Sequence, residues 1–130
     1  MYLCVRCTFG KSPAGSPALR LDIRDVQAKH LGGFDAVIHL AALSNDPLGN
    51  LDPQLTFDIN HLGSVSLAQK AKEAGVSRFL FSSSCSTYGS AGDDMLEESS
   101  SFNPVTPYGR SKVLVERELA PRAAARFFPG

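Results

Sequence analysis

Two short apolar runs, DAVIHLAA at 35–42 and RFLFSSS at 78–84, flank a long segment with helical periodicity. Apolar runs of strand length that lack polar alternation are typical of parallel strands buried on both faces. Between them, Asp52–Pro53 predicts a helix start, because Asp caps a helix and Pro suits its first turn. One face of this helix is apolar through residues spaced by three and four: Leu55, Ile59, Leu62, Val65 and Ala68.

The alternation continues toward the N-terminus. A loop rich in Gly, Pro and Ser covers 10–18, and 19–23 has the pattern of a short strand. Asp25 is predicted to cap a brief helix that runs to Leu31 and ends at the following pair of glycines.

Later in the chain, Ser44–Leu51 is predicted as a polar loop because it contains Pro47 and Gly49. The long helix ends at Gly75, and a last helix begins at Thr106–Pro107 and reaches about Leu119. Strands that alternate with helices predict the α/β class, as a partial Rossmann-like, doubly wound parallel sheet. We expect an irregular segment over 1–20, this domain over 21–120 and a ragged tail over 121–130.

Composition narrows the class of protein. A hydrophobic content of 43% with 20% charged residues is typical of a globular protein, and a formal net charge of zero gives no basic surface for nucleic acid or membranes. No apolar run reaches membrane-spanning length, and Arg6 interrupts the N-terminal apolar stretch, so we expect a cytoplasmic protein. Three cysteines, Cys4, Cys7 and Cys85, do not make a disulfide framework or a four-ligand metal site, and we predict reduced thiols and no metal.

PYGRSK, at 107–112, is the strongest chemical signal. Tyr108 and Lys112 are four residues apart, which puts both side chains on one face of a helix. An ammonium group near a phenol favours the phenolate, and this is how a tyrosine becomes a general base. Taken alone, the pair is more typical of an aromatic ring that packs on a lysine stem.

Hydroxyl side chains follow the second apolar run, where Ser82, Ser83 and Ser84 precede Cys85 and Ser86. In open α/β sheets, ligands bind outside the carboxyl ends of the strands. Serines at that edge can hydrogen-bond a substrate oxygen, although a serine run is also typical of a polar loop that caps a strand.

Together, LDIRD, FDAVIHLAA, FDINHLGSVSLAQKAKEAGVSRFLFSSS and NPVTPYGRSK resemble the extended short-chain dehydrogenases, particularly the nucleotide-sugar epimerases. The resemblance covers about Leu21 to Leu119, with the motifs in the family's order and spacing.

The resemblance implies a role for each matching residue. Tyr108 would be the catalytic acid/base, Lys112 would bind the nicotinamide ribose, and Ser84, assisted by Ser86, would orient the reacting hydroxyl of the substrate. It also implies a cofactor site, for NAD with NADP left open, formed by Asp22, Ile23, Leu40, Ala41, Ala42, Asn60, Ser82, Tyr108 and Lys112. His39 and His61 match no chemical role, and we expect both to be structural.

Two parts of the family pattern are missing. No glycine-rich turn of the GxxGxxG type is present, and no substrate-binding lobe follows the Tyr108 helix. We therefore expect a fragment that begins after the first βαβ unit, is marginally stable by itself and binds the cofactor poorly. Relatives are often dimers through two long helices, so a homodimer is expected for a longer form.

Several functions fit these residues. The first is NAD-dependent epimerisation of a nucleotide sugar, like that of UDP-glucose 4-epimerases, through a keto intermediate. A 4,6-dehydratase is a second, although such enzymes place an acidic pair where Cys85 and Ser86 stand here. An NAD(P)-linked reductase needs the same Ser–Tyr–Lys set, and a binding module without activity could keep the fold.

Overall fold

The computed structural model describes residues 4–5, 18–89, 97 and 99–123. Four short strands occur among them: β1 (Cys4–Val5), β2 (Ala18–Leu19), β3 (Ala36–His39) and β4 (Arg78–Phe81). β1 pairs with β2 and β3 pairs with β4, both in parallel, with Val37 opposite Phe79 and His39 opposite Phe81. The predicted α/β class with parallel strands is confirmed.

Helical elements connect these strands. Two 3₁₀ turns, Ile23–Asp25 and Ala28–His30, precede β3. Between β3 and β4 lie α1 (Asp46–Leu51), α2 (Pro53–Phe57), a π turn (Asp58–Gly63) and α3 (Ser64–Glu73). A third 3₁₀ turn, Cys85–Thr87, follows β4, and the chain then reaches α4 (Pro107–Ala123).

The predicted start and end of the long helix are confirmed. The Asp52 carboxylate accepts a hydrogen bond from the main-chain N–H of Leu55 at 2.9 Å, and Pro53 occupies the first turn. This cap satisfies one of the N–H groups that a helix start leaves without a partner. The last helical residue is Glu73, two positions before Gly75.

The core lies between one face of the β3–β4 pair and the helices. α3 contributes Leu67, Ala68 and Ala71 to the buried cluster at its centre, and β4 contributes Phe79. The segment before β3 and the one before β4 complete the cluster with Ile23, Val26, Leu31 and Val76. This packing fixes the β3 and β4 ends relative to the helices that carry the candidate site.

The strands are buried on one face only, contrary to our prediction. Ile38 of β3 is 67% exposed and Leu80 of β4 is 46% exposed. The helices that the structure describes pack on the opposite face, which carries Val37 and Phe79. Both strands are also shorter than predicted, ending at His39 and Phe81.

The π turn changes the predicted helix face. Val65 and Ala68 are buried as expected, whereas Leu55 is 37% exposed and Leu62 is 56% exposed. A π turn adds a residue to one helical turn, so positions before and within it fall out of phase with those after it. A face extrapolated at a constant 3.6-residue period is therefore wrong across this segment.

Four further predictions are corrected. Strand residues in 19–23 end at Leu19, and Asp22 rather than Asp25 caps the following turn, by accepting from the Arg24 N–H at 2.9 Å. The expected loop over 44–51 contains α1. The last helix continues beyond Leu119 to Ala123, into the expected tail.

Some predicted features lie outside the described residues. They are most of the loop over 10–18, the Cys4–Cys7 pair, of which Cys7 is not described, and the tail after Ala123. Within 1–20, the described residues form β1 and β2 where an irregular segment was expected. No helix in the described part of the chain is both long enough and apolar enough to cross a membrane.

Candidate active site

Tyr108 and Lys112 lie on the first two turns of α4, on one face, as their spacing predicted. Tyr108 is 8% exposed and Lys112 is 4% exposed. The Lys112 Nζ atom lies 5.8 Å from the centroid of the Tyr108 ring and 4.6 Å from that of Phe81. The same Nζ donates a hydrogen bond of 2.7 Å to the main-chain oxygen of Ser82. α4 and the carboxyl end of β4 are thus joined through this lysine.

Burial changes the acid–base behaviour of Lys112. Desolvation lowers the pKa of its ammonium group, and the negative charge of Glu116 partly opposes that shift. Among the described residues, one acceptor, Ser82 O, meets the three N–H donors of the ammonium. A buried ammonium group needs an acceptor for each of its donors. The two N–H groups that have none among the described residues are therefore available to a ligand oxygen.

Ser84 caps the 3₁₀ turn that follows β4. Its Oγ accepts a hydrogen bond from the Ser86 N–H at 3.2 Å, and its main-chain oxygen accepts one from the Thr87 hydroxyl at 2.8 Å. An accepting Oγ keeps its own proton, so the Ser84 hydroxyl remains able to donate to a substrate oxygen.

Gly109 allows this turn to approach α4. A Cβ at position 109 would lie 2.6 Å from the main-chain oxygen of Ser86, which is closer than Cβ atoms approach an oxygen in proteins. The glycine of PYGRSK therefore lets the Ser84–Ser86 turn rest against the residue that follows Tyr108. By this contact the structure brings Ser84, Ser86, Tyr108 and Lys112 to one end of the β3–β4 pair.

Asn60 lies in the middle of the π turn and is 1% exposed. Its Oδ1 accepts from the Leu43 N–H at 2.8 Å, and its Nδ2 donates to the Leu43 main-chain oxygen at 3.0 Å. The same Nδ2 donates to the Ser111 Oγ at 3.3 Å. Asn60 therefore joins the segment after β3 to α4, and these contacts use both N–H donors of the amide and one lone pair of its oxygen.

The other predicted cofactor residues occupy two places. Leu40, Ala41 and Ala42 follow β3 directly; Leu40 is 71% exposed and the two alanines are half-buried. Together with the exposed Ser82 they line the carboxyl edge of the β3–β4 pair.

Asp22 and Ile23 lie at the first 3₁₀ turn. Both Asp22 carboxylate oxygens accept hydrogen bonds from the Arg24 guanidinium, at 2.9 and 2.8 Å, and these bonds hold the pKa of the Asp22 carboxyl down at about 2. The Ile23 side chain is 3% exposed and belongs to the core. A ligand at this turn would therefore meet the main chain of Ile23 rather than its side chain.

The two histidines have protein partners, as expected of structural residues. His39 is buried, and its Nε2 lies 2.7 Å from the Ser64 Oγ. The His61 Nε2 lies 2.5 Å from a carboxylate oxygen of Glu118 on α4. In residues 18–89 and 99–123, no group of three His, Cys, Asp or Glu side chains is arranged to hold a metal ion.

α1, which the sequence did not predict, packs beside Tyr108. The Thr106 hydroxyl donates to the Asp46 carboxylate at 2.6 Å and accepts from the Gly109 N–H at 3.1 Å. A Cβ at Gly49 would come within 3.2 Å of the Tyr108 Cβ. An Asp–Pro pair at 46–47, of the same kind as the pair at 52–53, was the available signal for α1.

Comparisons with known proteins identify the family to which this chain belongs. The family model described as "NAD dependent epimerase/dehydratase family" matches residues 11–128. The chain is 39% identical over 110 residues to a UDP-glucose 4-epimerase of Rhizobium leguminosarum bv. trifolii, covering 80% of this chain and 33% of that one. The chain thus spans about a third of the length of the curated relatives it matches.

Solved structures of nucleotide-sugar epimerases and dehydratases are also similar to this chain. A UDP-glucose 4-epimerase from Stenotrophomonas maltophila, with NAD and formylated UDP-arabinopyranose bound, is 37% identical with a TM-score of 0.78, over 84% of this chain and 34% of that one. A dTDP-glucose 4,6-dehydratase from Streptomyces venezuelae, with NAD bound, is 31% identical with a TM-score of 0.77, over 83% of this chain and 35% of that one.

Proposed function

Since this chain belongs to the NAD-dependent epimerase/dehydratase family, we propose that it provides the Ser–Tyr–Lys centre of an NAD-dependent nucleotide-sugar epimerase. The observation that carries the proposal is the buried Tyr108–Lys112 pair on α4, held against the carboxyl ends of β3 and β4 by the Lys112–Ser82 hydrogen bond. In open α/β sheets that edge is where ligands bind.

Lys112 fits a dinucleotide by the chemistry of its donors. The ammonium is buried and has one acceptor among the described residues, so it needs further oxygens. A ribose diol offers two neighbouring oxygens to such a group. Leu40, Ala41, Ala42 and Ser82 would line the rest of that side of the site, and Asp22 with the Ile23 main chain would hold the adenine end.

Bound NAD would supply the hydride chemistry, by accepting a hydride from a ring carbon of the sugar and returning it to the opposite face. The protein side is proton transfer. Tyr108 Oη would take the proton of the ring hydroxyl as hydride leaves and return it when the carbonyl is reduced, and the Ser84 hydroxyl would donate to the same oxygen. Protons and electrons balance over one turnover, so the cofactor ends in its original redox state.

Epimerisation is favoured over dehydration by the residues after Ser84. A 4,6-elimination needs an acid and a base at the departing hydroxyl, and the family resemblance implies an acidic pair there in dehydratases. Cys85 and Ser86 occupy those positions in this chain, and the described structure resolves no carboxylate hydrogen-bonded to the turn.

The test is to incubate the chain with NAD and UDP-glucose and to identify the products. We expect UDP-galactose without net formation of NADH. Tyr108→Phe is expected to abolish turnover while NAD affinity changes little, because the phenol oxygen is removed and the ring remains. Tyr88→Phe is the matched control, since the Tyr88 ring packs on Phe102, 5.7 Å between ring centroids, and its phenol oxygen has no role in the proposed reaction.

Other products would identify the other functions. Net oxidation of NADH or NADPH with a ketone substrate would indicate a reductase, and loss of water from a dTDP- or UDP-sugar would indicate a dehydratase. Turnover by Tyr108→Phe equal to that of the unaltered chain would contradict the assignment of Tyr108.

A further inference from the structure

A buried chain of hydrogen bonds runs from β3 through the π turn to α4. It starts at His39, whose Nε2 lies 2.7 Å from the Ser64 Oγ, and the Ser64 Oγ lies 2.6 Å from the Asn60 main-chain oxygen. The Asn60 amide continues it to the Ser111 Oγ at 3.3 Å, and Ser111 lies 2.7 Å from the main-chain oxygen of Tyr108. His39, Ser64, Asn60 and Ser111 are all at most 3% exposed.

The acceptors fix the direction of every proton in this chain. A carbonyl oxygen only accepts, so the single hydroxyl proton of Ser64 points to Asn60 and that of Ser111 points to Tyr108. Ser64 must then accept from His39, which requires the proton on Nε2. Ser111 likewise accepts from the Asn60 amide. The chain therefore has one arrangement, and a network with one arrangement rigidifies the elements that it joins.

Asn60 connects this hydrogen-bond chain to the segment after β3. Its amide exchanges two hydrogen bonds with the main chain of Leu43, at 2.8 and 3.0 Å, as a neighbouring strand would. Leu43 directly follows Ala41 and Ala42, two of the residues proposed to line the cofactor site. The position of these alanines relative to Tyr108 thus depends on where the Asn60 amide is held.

We propose that Ser64 and Ser111, with His39, are positioning residues that hold the Asn60 amide between the Leu43 segment and the first turns of α4. This role rests on the proposed function, because what it positions is the edge where NAD would bind. None of the three side chains needs to touch the cofactor. Their removal should loosen the Leu43 segment and weaken NADH binding while the phenol of Tyr108 stays in place.

The test compares Ser64→Thr with Ser64→Val. Threonine and valine have the same shape and the same added bulk at this buried position, and only threonine keeps the hydroxyl, so the shared steric effect cancels. In Ser64→Val we expect the Leu43 amide to exchange its hydrogen at least about tenfold faster relative to the Val115 amide, a buried reference in α4. We expect NADH affinity, measured by fluorescence titration, to fall in Ser64→Val and to be retained in Ser64→Thr.

Equal Leu43 exchange in the two variants, scaled on Val115, would overturn the proposal, and so would unchanged NADH affinity in Ser64→Val. If the variants do not fold, a measurement on the unaltered chain still tests the proposal. The ¹⁵N chemical shifts of the His39 ring should show the neutral form protonated at Nε2, and a proton on Nδ1 would contradict the chain. Failure of the unaltered chain to bind NADH is a different result, which contradicts the proposed function.

Discussion

The ammonium group of Lys112 donates a hydrogen bond to the main-chain oxygen of Ser82 at 2.7 Å, and this bond joins α4 to the end of β4. The Ser82 N–H in turn donates to the His39 main-chain oxygen at 3.2 Å, so the bond also reaches the end of β3. A buried charge is costly, and here it lies at the carboxyl edge of β3 and β4, where an anionic or hydroxyl-rich ligand could add acceptors. Lys112 is therefore positioned for binding at the expense of stability.

Replacement of Lys112 by methionine should separate these two effects. Methionine keeps the length and apolar stem of the side chain and removes the donors. We expect the NADH dissociation constant to rise at least about tenfold, since a hydrogen-bonded charged group is lost. We expect the thermal midpoint to stay equal or rise, because a buried cation with one protein partner is removed.

Lys72→Met is the matched control for that variant, because Lys72 is an exposed lysine on α3. It should leave NADH affinity unchanged. A lysine-to-methionine change at 112 that lowers the thermal midpoint and leaves NADH affinity intact would mean that the Ser82 hydrogen bond is structural only.

A Gly109→Ala substitution is expected to destabilise the chain by about 1–3 kcal/mol, the usual cost of overpacking. The added Cβ would lie 2.6 Å from the main-chain oxygen of Ser86. That oxygen belongs to the main chain, so it cannot rotate away as the end of a side chain can. Urea unfolding measures the loss. NADH affinity should fall in the same variant, because the Ser84–Ser86 turn must move away from α4.

Gly32→Ala is the control for Gly109→Ala, since the nearest atom to its added Cβ would be 3.9 Å away. We expect its free energy of unfolding to change little. Equal effects of the two substitutions would show that the close approach at Gly109 does not constrain the turn.

Local signals explain which parts of the fold could be predicted. Asp52–Pro53 defines a helix start by its own chemistry, and apolar runs define strands, so the alternation that gives a parallel α/β fold is visible in the sequence. An Asp–Pro pair also stands at 46–47, in the segment that was predicted as a loop because it contains Pro47 and Gly49. In the structure Gly49 faces the Tyr108 Cβ, so the glycine is required for close packing and does not end the helix.

Long-range contacts explain what could not be predicted. The spacing of Tyr108 and Lys112 puts them on one face of a helix, and no tertiary information is needed for that. Asn60 meets Ser111 across 51 positions, and the π turn that presents Asn60 has no periodic signature. Burial of both strand faces was predicted from apolar content, but content does not specify which face the helices cover.

Thr106→Val should remove the side-chain cap of α4. The Thr106 hydroxyl accepts from the Gly109 N–H and donates to the Asp46 carboxylate, so valine, of the same shape, leaves both groups without this partner. We expect the free energy of unfolding to fall by about 1–2 kcal/mol, as for other lost caps. Thr106→Ser keeps the hydroxyl and should retain most of that stability, and a loss of the same size in Thr106→Ser would contradict the cap.

The buried imidazole of His39 should make stability depend on pH. Burial lowers the pKa of His39 from 6.5 to about 4, and the positive charge of Lys112 on α4 adds to this shift. The unfolded chain therefore binds a proton at pH values where the folded chain does not, so the free energy of unfolding should rise with pH between about 4 and 6.5. The rise from this group is roughly 3 kcal/mol, and it is complete above the unfolded pKa.

Urea unfolding at a series of pH values measures this rise, and His39→Gln should flatten it, because glutamine does not titrate. His30→Gln leaves His39 in place and should keep the rise, which makes it the matched control. Asp22, with its pKa near 2, loses its Arg24 interaction only at still lower pH, so the two effects separate along the titration. A slope that persists in His39→Gln would show that another group, and not the imidazole beside Ser64, controls acid stability.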